Sequence, residues 1–268
     1  MIESPYLVEP GKSIKLDKLS TDDTGDFENK SDAKAVTDKT LSKLDDLQEV
    51  LYAGAEQALL IVLQAMDAGG KDGTIRSIFS GVNPQGCSVT SFKAPSKTEL
   101  AHDYLWRIHA ACPARGMIGI FNRSHYESVA VERIQKIAPK DVWSKRFDQI
   151  NDFEKMLADE GTTIVKLFLH ISKKEQKERL ESRLADKSKH WKFDPHDLDT
   201  RKQWDDYMDA YTDAINKCST KHAPWYVVPS DHKWYRNHVV ADILVRTLQS
   251  MKLRYPPAPP GLEKIRID

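Results

Sequence analysis

Residues 64–74 read Gln-Ala-Met-Asp-Ala-Gly-Gly-Lys-Asp-Gly-Thr and join an apolar run, residues 58–64, to a helical pattern through Ile75 and Ile78. A glycine turn between a strand and a helix is typical of a phosphate-binding loop, because backbone N–H groups converge on phosphate oxygens only where no Cβ intrudes. Lys71 stands where it can reach the terminal phosphates as a mobile charge. This stretch predicts a P-loop.

The phosphate-loop consensus Gly-x-x-x-x-Gly-Lys-Ser/Thr is met only in part. Ala65 stands at the first glycine and Asp72 at the hydroxyl position, so a tight turn with a chance lysine is the alternative interpretation. The order of strand, turn and helix favours phosphate binding. Asp67 and Asp72 would repel a phosphate unless a hard cation such as Mg²⁺ lay between them, although Asp72 can also serve simply as a helix cap.

Outside this loop, short apolar runs alternate with longer amphipathic stretches. Five runs have the character of buried strands: 58–64, 87–92, 116–121, 162–170 and 225–228. Strands alternating with helices form right-handed βαβ units, so the pattern predicts an α/β fold with three layers around a five-stranded parallel sheet. Ligands in such folds bind at the carboxyl ends of the strands, which is where the phosphate loop stands.

The helices carry their own start and stop signals. Residues 31–52 show apolar spacing typical of an amphipathic helix, and Ser96 and Ser172 each precede a glutamate by three residues, as in a capping box. Pro139 suits a first helical turn, and Gly161 suits a helix end. One further series at helical spacing predicts core contacts rather than a surface for stacking bases: Trp204, Tyr207, Met208, Tyr211 and Ile215.

Composition excludes several classes of protein. Forty basic and forty acidic residues give a formal net charge of +0, so affinity for a polyanion requires local clustering. The cysteines at positions 87, 112 and 218 lack the spacing of a disulfide framework or a zinc site. No stretch approaches the ~20 apolar residues of a membrane helix, so we expect a cytoplasmic protein without a membrane partner.

The chain divides into a body and two arms. Residues 1–30 and 255–268 lack periodicity and are expected to lie over the surface or a neighbouring subunit, which leaves residues 31–254 as the P-loop domain. Within it, a polar stretch at about 185–199 begins with strongly basic residues and is interrupted by Pro195. We interpret this stretch as a lid.

Basic residues cluster around the predicted lid. Arg179 and Arg183 lie four residues apart on one helical face, followed by Lys187, Lys189 and Lys192. Such a run is often only a solvated face, but Trp191 and Phe193 interleave the lysines as an ordered lid requires. The same interleaving can bind single-stranded nucleic acid, which is the alternative at this point.

A second motif follows the strand 116–121. Residues 121–127 read Phe-Asn-Arg-Ser-His-Tyr-Glu, which places Asn122 and Arg123 at the carboxyl end of that strand, beside the phosphate loop. In many P-loop enzymes an aspartate ends this strand and holds Mg²⁺. Arg123 could form bidentate hydrogen bonds to a transferring phosphoryl group, and a salt bridge at a strand end is the alternative.

These two motifs together resemble the family-2 polyphosphate kinases, also called polyphosphate:nucleotide phosphotransferases. The likeness continues through Asp-Tyr-Leu-Trp-Arg at 103–107, Ala-Asp-Glu-Gly-Thr at 158–162, His-Trp-Lys-Phe at 190–193 and Ala-Pro-Trp-Tyr at 223–226. It covers nearly the whole chain apart from the two tails. Two distant motifs in the right order make the resemblance specific.

The resemblance implies a thymidylate-kinase-like fold with a helical lid over a basic channel that threads inorganic polyphosphate. It implies a reaction that depends on Mg²⁺, with Mn²⁺ as a substitute, and subunits that associate as a dimer or tetramer. Some relatives carry aspartate where this chain has Asn122; with Glu127 a turn further on, the substitution resembles the subgroup that accepts nucleoside monophosphates as well as diphosphates. AMP and ADP are the expected acceptors, with GMP and GDP as further candidates.

We assign site residues on this combined basis. Catalysis is assigned to Asp67, Lys71, Asn122 and Arg123, with Asp67 as metal ligand and Asn122 acting through water. Phosphate and polyphosphate binding is assigned to Ala68, Gly69, Gly70, Lys71, Asp72, Gly73, Thr74, Arg123, Arg179, Arg183 and Lys192. Nucleotide binding, implied by the resemblance, is assigned to Asp67, Asn83, Tyr126, Glu127 and Arg133.

Two rival functions remain open at this point. An ATP-dependent nucleoside-monophosphate kinase of the thymidylate type shares the fold and an arginine after the third strand. A nucleotide- or nucleic-acid-binding module without turnover belongs to another class, and the intact Lys71 and Arg123 count against it. We expect no nucleic-acid partner.

Overall fold

The computed structural model describes residues 1–267, except for the side chain of Glu263. Its six-stranded sheet has the order β1-β6-β5-β2-β4-β3. The strands are β1 (Leu7–Val8), β2 (Ala58–Gln64), β3 (Cys87–Ser91), β4 (Ile118–Asn122), β5 (Thr162–His170) and β6 (Trp225–Pro229). The strands β2 to β6 run parallel, as predicted, and β1 pairs antiparallel with β6 through Leu7 and Tyr226.

Eleven α-helices lie within residues 1–267: α1 (Lys30–Gly54), α2 (Lys71–Phe79), α3 (Lys97–Leu100), α4 (Trp106–Ala110), α5 (Val131–Ile134), α6 (Lys140–Trp143), α7 (Arg146–Asp159), α8 (Lys173–Ala185), α9 (His196–Lys202), α10 (Trp204–Cys218) and α11 (Lys233–Ser250). Short 3₁₀ helices occur at Leu16–Lys18, Pro84–Gly86, His125–Ser128, Lys187–Lys192 and Leu262–Lys264. Of the predicted caps, Ser96 forms a complete capping box with Glu99, whereas Glu175 turns away from Ser172 to pair with Arg179.

The alternation of side chains along each strand builds two cores. Leu60 and Val62 of β2 point into one core, which α7 and α10 cover, while Leu59 and Ile61 point into the other, beneath α1, α2 and α11. All seven residues of β2 are buried, as expected for a central parallel strand covered on both faces. The predicted three-layer α/β fold is therefore confirmed.

The strand count predicted from sequence was short by one. The sixth strand, β1, has only two residues, too few to produce a periodic signal. It belongs to the predicted amino-terminal arm, which packs across its own subunit: Leu16 is 1% exposed, and Ile14 exchanges two hydrogen bonds with the side chain of Asn216. The antiparallel strand shields the open edge of β6 from pairing with another chain.

The sheet order determines where ligands can enter. The strand β2 lies between β4 and β5, and Leu63 of β2 pairs with Asn122 of β4 at their carboxyl ends. The loop after β2 and residues 122–127 therefore meet at the carboxyl end of the sheet. At this end of the sheet the chain connections diverge to opposite sides, and the crevice between them is the usual binding site of an open parallel sheet.

The predicted lid crosses the carboxyl end of the sheet. It consists of the 3₁₀ helix Lys187–Lys192 and the start of α9, with Pro195 between them. Trp191 in this segment is 79% exposed. Among residues 1–267, no helix combines the length and apolar character needed to cross a membrane.

Candidate active site

The phosphate loop accepts only small residues at its bend. Ala68 and Gly70 have φ angles of 59° and 103°. A Cβ on Gly69 would lie 2.5 Å from the Cβ of Ala65 and 2.7 Å from the carbonyl oxygen of Met66. Steric limits therefore require glycine at both position 69 and position 70. Ala65 can replace the first consensus glycine because its methyl group packs against the hydrogen of Gly69.

A row of backbone N–H groups follows the bend of the loop. The N–H of Gly69 donates to the carbonyl oxygen of Met66 over 2.9 Å and closes the turn. The next N–H groups, those of residues 70–73, donate to no atom of the described protein. Because α2 begins at Lys71, these donors lie at the positive end of its dipole. They form a cradle for an anion.

Lys71 folds back over this cradle. Its Nζ donates to the carbonyl oxygen of Ala65 at 3.0 Å. Burial lowers the pKa of Lys71, and Arg123 lowers it further, while the carboxylate of Asp67 opposes both effects. Within residues 1–267 the side chain has a single hydrogen-bond partner, so it can turn toward a bound phosphate at little cost.

Arg123 leaves β4 in a left-handed conformation, with φ at 63°. Its N–H donates to the carbonyl oxygen of Leu63 at 3.1 Å, and its Nη2 lies 3.1 Å from Oδ1 of Asp67, with the two side chains 42% and 19% exposed. Burial alone would lower the pKa of Arg123, but the carboxylates of Glu127 and Asp67 raise it overall. The unusual backbone aims a charged guanidinium at the phosphate loop.

Asn122 is joined to the start of α2. Its Nδ2 donates to Oδ1 of Asp72 over 2.6 Å and lies 3.4 Å from the hydroxyl oxygen of Ser91. Within residues 1–267, no group of three or more His, Cys, Asp or Glu side chains is arranged to hold a metal. Mg²⁺ commonly uses one or two carboxylates and completes its octahedron with water and phosphate oxygens. The part-exposed carboxylate of Asp67 fits that kind of site.

A cavity of about 890 Å³ connects the cradle to the lid. Its lining includes Asp67, Asn122 and the whole loop from Ala68 to Gly73. The other basic side chains on its wall are Lys93, Arg123, Arg179, Arg183, Lys189, Lys192, Lys233 and Arg236. The acidic ones besides Asp67 and Asp72 are Glu175, Glu178, Asp194 and Asp197. The assigned catalytic residues, and all the assigned phosphate-binding residues except Thr74, thus line one large cavity that has more basic than acidic side chains.

Arg179 lines this cavity, but its contacts differ from those of a free anion-binding side chain. Its guanidinium donates to the carbonyl oxygens of Ala68 and Gly69 at 3.1 and 3.0 Å, to the carbonyl of Ser230, and to the carboxylate of Glu175. The side chain therefore holds the back of the phosphate loop. These contacts give Arg179 a supporting role that was not predicted, and its assignment to the polyphosphate chain stays a prediction.

A smaller pocket of about 120 Å³ adjoins the cavity and shares Asp67 and Arg123 with it. Its wall includes Glu127 and two aromatic rings of α10, Tyr207 and Tyr211. Burial raises the pKa of Glu127, although Arg123 and Lys71 act against it. Both tyrosines belong to the core, as predicted, yet one edge of each faces this pocket.

Two assigned residues are buried in the protein interior and do not line the cavity. Tyr126 is 0% exposed, and its hydroxyl group lies between the carboxylate of Glu154 and the Nζ of Lys166 at 3.0 and 2.7 Å. Thr74 is 1% exposed, and its hydroxyl donates to the carbonyl oxygen of Gly70. Neither side chain reaches the cavity, so Tyr126 and Thr74 support the site from inside the core.

Two other assigned residues point elsewhere. Asn83 accepts a hydrogen bond from the N–H of Gln85 just before β3, at the amino end of the sheet and thus opposite the phosphate loop. Arg133 pairs with Asp213 at 2.6 Å and stacks on Trp143. The resemblance had implied nucleotide contacts for both residues, and the fold does not bring either of them to the cavity.

Sequence reasoning missed two cations opposite the lid. Arg236 is 3% exposed, and its Nη1 would lie 2.1 Å from a Cβ on Gly70. Lys233 lines the same cavity. Both side chains stand in the first turn of α11, directly after a strand of the parallel sheet. Cations at such a helix start were the available signal.

An anion cradle at the switch point of a three-layer α/β sheet, with a lysine, an arginine and a part-exposed aspartate around it, defines a P-loop phosphotransferase. The family model for polyphosphate kinase 2 (PPK2) matches residues 27–256. The chain therefore belongs to the polyphosphate kinase 2 family, as the sequence motifs predicted.

Proteins similar to this chain match it over nearly their whole length. The AMP/ADP-polyphosphate phosphotransferase of Meiothermus ruber is 51% identical over 98% of this chain and 99% of its own. The ADP-polyphosphate phosphotransferase of Rhodopseudomonas palustris is 42% identical over 97% and 94%. The crystal structure of polyphosphate kinase 2 from Arthrobacter aurescens superposes with a TM-score of 0.90 at 42% identity, covering 96% of each chain.

Proposed function

We propose that this protein transfers phosphoryl groups from inorganic polyphosphate to AMP and to ADP, reversibly, with Mg²⁺ as the metal and Mn²⁺ as a substitute. The observation that carries the proposal is the free row of N–H donors at residues 70–73, opening into a cavity of about 890 Å³ lined mainly by cations. The names of the similar proteins, which act on polyphosphate with AMP or ADP, support the same reaction. GMP and GDP are further acceptors to test.

The cradle and its two cations hold the transferring phosphoryl group. The N–H groups of residues 70–73 donate to its oxygens, Lys71 turns from the carbonyl of Ala65 onto it, and Arg123 approaches from the side of β4. In the loose transition state of phosphoryl transfer, charge spreads over the equatorial oxygens. Donors already fixed around those oxygens lower the barrier because they need no reorganisation.

Asp67 and Asn122 would hold the metal, the first directly and the second through water. Bound Mg²⁺ would neutralise charge on the phosphate oxygens that it touches. The contact of Asp67 with Arg123 at 3.1 Å keeps the carboxylate turned toward the cradle. The hydrogen bond of Asn122 to Asp72 fixes the amide at the same edge.

The acceptor needs alignment more than it needs a base. A nucleotide phosphate is already an anionic nucleophile, so positioning and charge neutralisation do most of the work. The smaller pocket beside Asp67 and Arg123 adjoins the cavity, with Glu127 and the rings of Tyr207 and Tyr211 on its wall. We place the acceptor on this side of the cradle.

The lid covers the other part of the cavity. Arg183 and Lys192 are connected, because Nη1 of Arg183 lies 3.4 Å from the carbonyl oxygen of Lys192 and 3.3 Å from Oδ2 of Asp197. The contacts are long and lie near the surface, so the lid can exchange them for phosphate oxygens.

Cytoplasmic location and association as a dimer or tetramer complete the proposal. Light scattering on the purified protein would test the association.

A donor assay tests the function directly. Purified protein is incubated with Mg²⁺ and, in parallel, polyphosphate plus ADP, polyphosphate plus AMP, and ATP plus AMP. Formation of ATP from polyphosphate and ADP supports the proposal. Product from ATP and AMP alone would favour the nucleoside-monophosphate kinase, and oligonucleotide binding without any turnover would favour the binding module. GMP and GDP in the same assay define the base preference.

A further inference from the structure

A charged pair lies inside the fold and does not line the cavity. Lys166 of β5 and Glu154 of α7 are both fully buried and form an ion pair. In the register of the parallel sheet, Lys166 stands between Val62 of β2 and Trp225 of β6. Taking two charges out of water is costly, and an apolar pair of similar volume often stabilises a core at least as well. Stability alone therefore gives no reason for charges at these two positions.

The contacts of this pair converge on the short 3₁₀ helix that follows β4. Oε1 of Glu154 lies 3.1 Å from Nε2 of His125 and accepts a hydrogen bond from the hydroxyl of Tyr126 at 3.0 Å. Nζ of Lys166 donates to the Tyr126 hydroxyl at 2.7 Å, to the carbonyl oxygen of Cys218 at 2.6 Å and to Oε2 of Glu154. Burial raises the pKa of Glu154, but Lys166 and His125 lower it overall, so the carboxylate stays charged. An ionised carboxylate is only an acceptor, so Nε2 of His125 carries the proton.

The same stretch of chain begins with Arg123. Its φ angle of 63° lies in the left-handed region, where a residue other than glycine is strained and persists only if its surroundings hold it. On one side, the N–H of Arg123 is held by the carbonyl oxygen of Leu63. On the other side, the hydroxyl of Ser124 accepts hydrogen bonds from Nε2 of Gln64 at 3.1 Å and from the N–H of Tyr126 at 3.2 Å. The second support therefore depends on the 3₁₀ helix.

Side chains of this stretch face two different spaces. Arg123 and Glu127 line the small pocket beside the cradle, whereas His125 and Tyr126 are buried among core residues. The side that meets the substrate is thus anchored through neighbours that meet the core.

We propose that Glu154 and Lys166 are positioning residues for Arg123. Through His125 and Tyr126 they fix the backbone that aims the guanidinium of Arg123 at the transferring phosphoryl group. This assignment rests on the proposed function, in which Arg123 contacts that group.

The kinetic test compares Tyr126→Phe with Tyr226→Phe. Each change removes one hydroxyl group from a buried tyrosine, but the hydroxyl of Tyr226 bonds the backbone of Ile2 in the amino-terminal arm. Steady-state rates are measured with Mg²⁺, polyphosphate and ADP. We expect Tyr126→Phe to lower kcat about tenfold and to change both KM values less than twofold, because a misaimed Arg123 weakens a contact to the transition state. Equal kcat values in the two variants, or a change in KM alone, would overturn the positioning role.

A double-mutant cycle shows whether the effect passes through Arg123. When Arg123→Ala is already present, Tyr126→Phe should lower kcat by less than twofold, because residues that act as one unit are not additive. A further tenfold fall in that background would mean that Tyr126 acts independently of Arg123, which contradicts the inference.

Amide hydrogen exchange tests the inference without turnover. Exchange at residues 122–128 is compared in the wild type, Tyr126→Phe, His125→Phe and Tyr226→Phe, each checked for folding by thermal unfolding. His125→Phe keeps an aromatic ring and removes the other contact to Glu154, so it serves if Tyr126→Phe does not fold. Exchange at least threefold faster, confined to the Tyr126 and His125 variants, supports the positioning role even if the wild type shows no turnover with polyphosphate, an outcome that would reject the proposed function. Unchanged exchange in the folded variants rejects the positioning role and leaves the proposed function intact.

Discussion

The two walls of the cavity are built differently. The phosphate loop is held from behind by buried side chains of α8: Arg179 donates to the carbonyls of Ala68 and Gly69, and Gln176 donates to that of Asp67 at 2.9 Å. The lid carries Trp191 with 79% exposure and is held by local, mostly exposed hydrogen bonds. One wall is fixed before substrate arrives, and the other can open.

This difference matches the demands of phosphoryl transfer. Donors at the transferring group must be preorganised, because reorganisation during the reaction raises the barrier. A polymeric donor, in contrast, needs a wall that can release and admit a chain. Substitutions in the loop should therefore mainly change kcat, and substitutions in the lid should mainly change the KM for polyphosphate.

The largest effect is expected for Lys71→Ala in the fixed wall. Removing a preorganised charge from the transferring group should lower kcat by about 10²–10³-fold or more. The side chain makes one hydrogen bond, to the carbonyl of Ala65, so the midpoint of thermal unfolding should change little. Initial rates and thermal unfolding are compared with those of the wild type and of Lys43→Ala, which removes an exposed lysine from α1. A folded variant with near-normal kcat would remove Lys71 from the mechanism.

A smaller loss, about 10²-fold in kcat, is expected when the loop loses its support through Arg179→Lys, comparable to a misplaced reacting group. Lysine keeps the charge but cannot serve the carbonyls of Ala68, Gly69 and Ser230 together with Glu175. If Arg179 only attracted the polyanion, lysine would largely preserve activity. Measuring kcat and both KM values separates these roles: support of the loop predicts a kcat effect with both acceptors.

Asn122→Asp should alter the choice of acceptor. The present amide donates to Asp72 at 2.6 Å, so an aspartate would place two carboxylates against each other and shift the metal position. AMP offers one phosphate to the metal and ADP offers two, so AMP depends more on the protein's own ligands. We expect kcat/KM to fall more for AMP than for ADP, with a differential of about 1–3 kcal/mol. An unchanged AMP/ADP ratio would direct attention to Glu127.

The sequence was most informative where local patterns determine structure. The parallel strands and the phosphate loop follow from hydrophobic periodicity and from glycine sterics, which act over a few residues. The short strand β1 gave no such signal. The contacts of Arg179 with the phosphate loop were not predicted, because spacing on a helix indicates which residues share a face and does not indicate what that face meets. Arg236 was missed for the same reason, since its neighbour Gly70 is distant in sequence.

The free energy of unfolding should depend on pH through Asp197, which lies at the junction between the two walls. Burial and the charge of Asp67 raise the pKa of Asp197 to about 6, while Arg183 acts against the rise. A carboxyl group whose pKa is raised in the folded protein stabilises the folded state at pH values below its ordinary pKa. This contribution to the free energy of unfolding is lost as pH rises toward 6. Two pKa units correspond to ~3 kcal/mol, which screening at the lid reduces to about 1–2 kcal/mol.

Asp197→Asn should accordingly stabilise the protein at pH 7.5 by that amount, and the gain should vanish near pH 4, where the aspartate is itself protonated. Chemical denaturation in EDTA at several pH values checks this expectation. Asp152→Asn, on the exposed face of α7, is the control. A gain that does not depend on pH would show that charge is not its cause.

The smallest effect is expected in the lid itself, for Arg183→Ala. Its side chain is 24% exposed and forms a long contact of 3.3 Å with Asp197, so a phosphate chain replaces a weak interaction rather than a buried one. We expect the KM for polyphosphate to rise about three- to fivefold, typical of a partly exposed ion pair worth ~1 kcal/mol, with kcat and the KM for ADP nearly constant. Because exposed charges are screened, the difference from wild type should shrink as salt rises from low to physiological ionic strength. Arg115→Ala, which removes an exposed arginine near the amino end of β4, controls for the change in net charge. If Arg183→Ala instead lowered kcat as strongly as substitutions in the phosphate loop, the lid would be part of the preorganised wall, and the distinction between the two walls would fail.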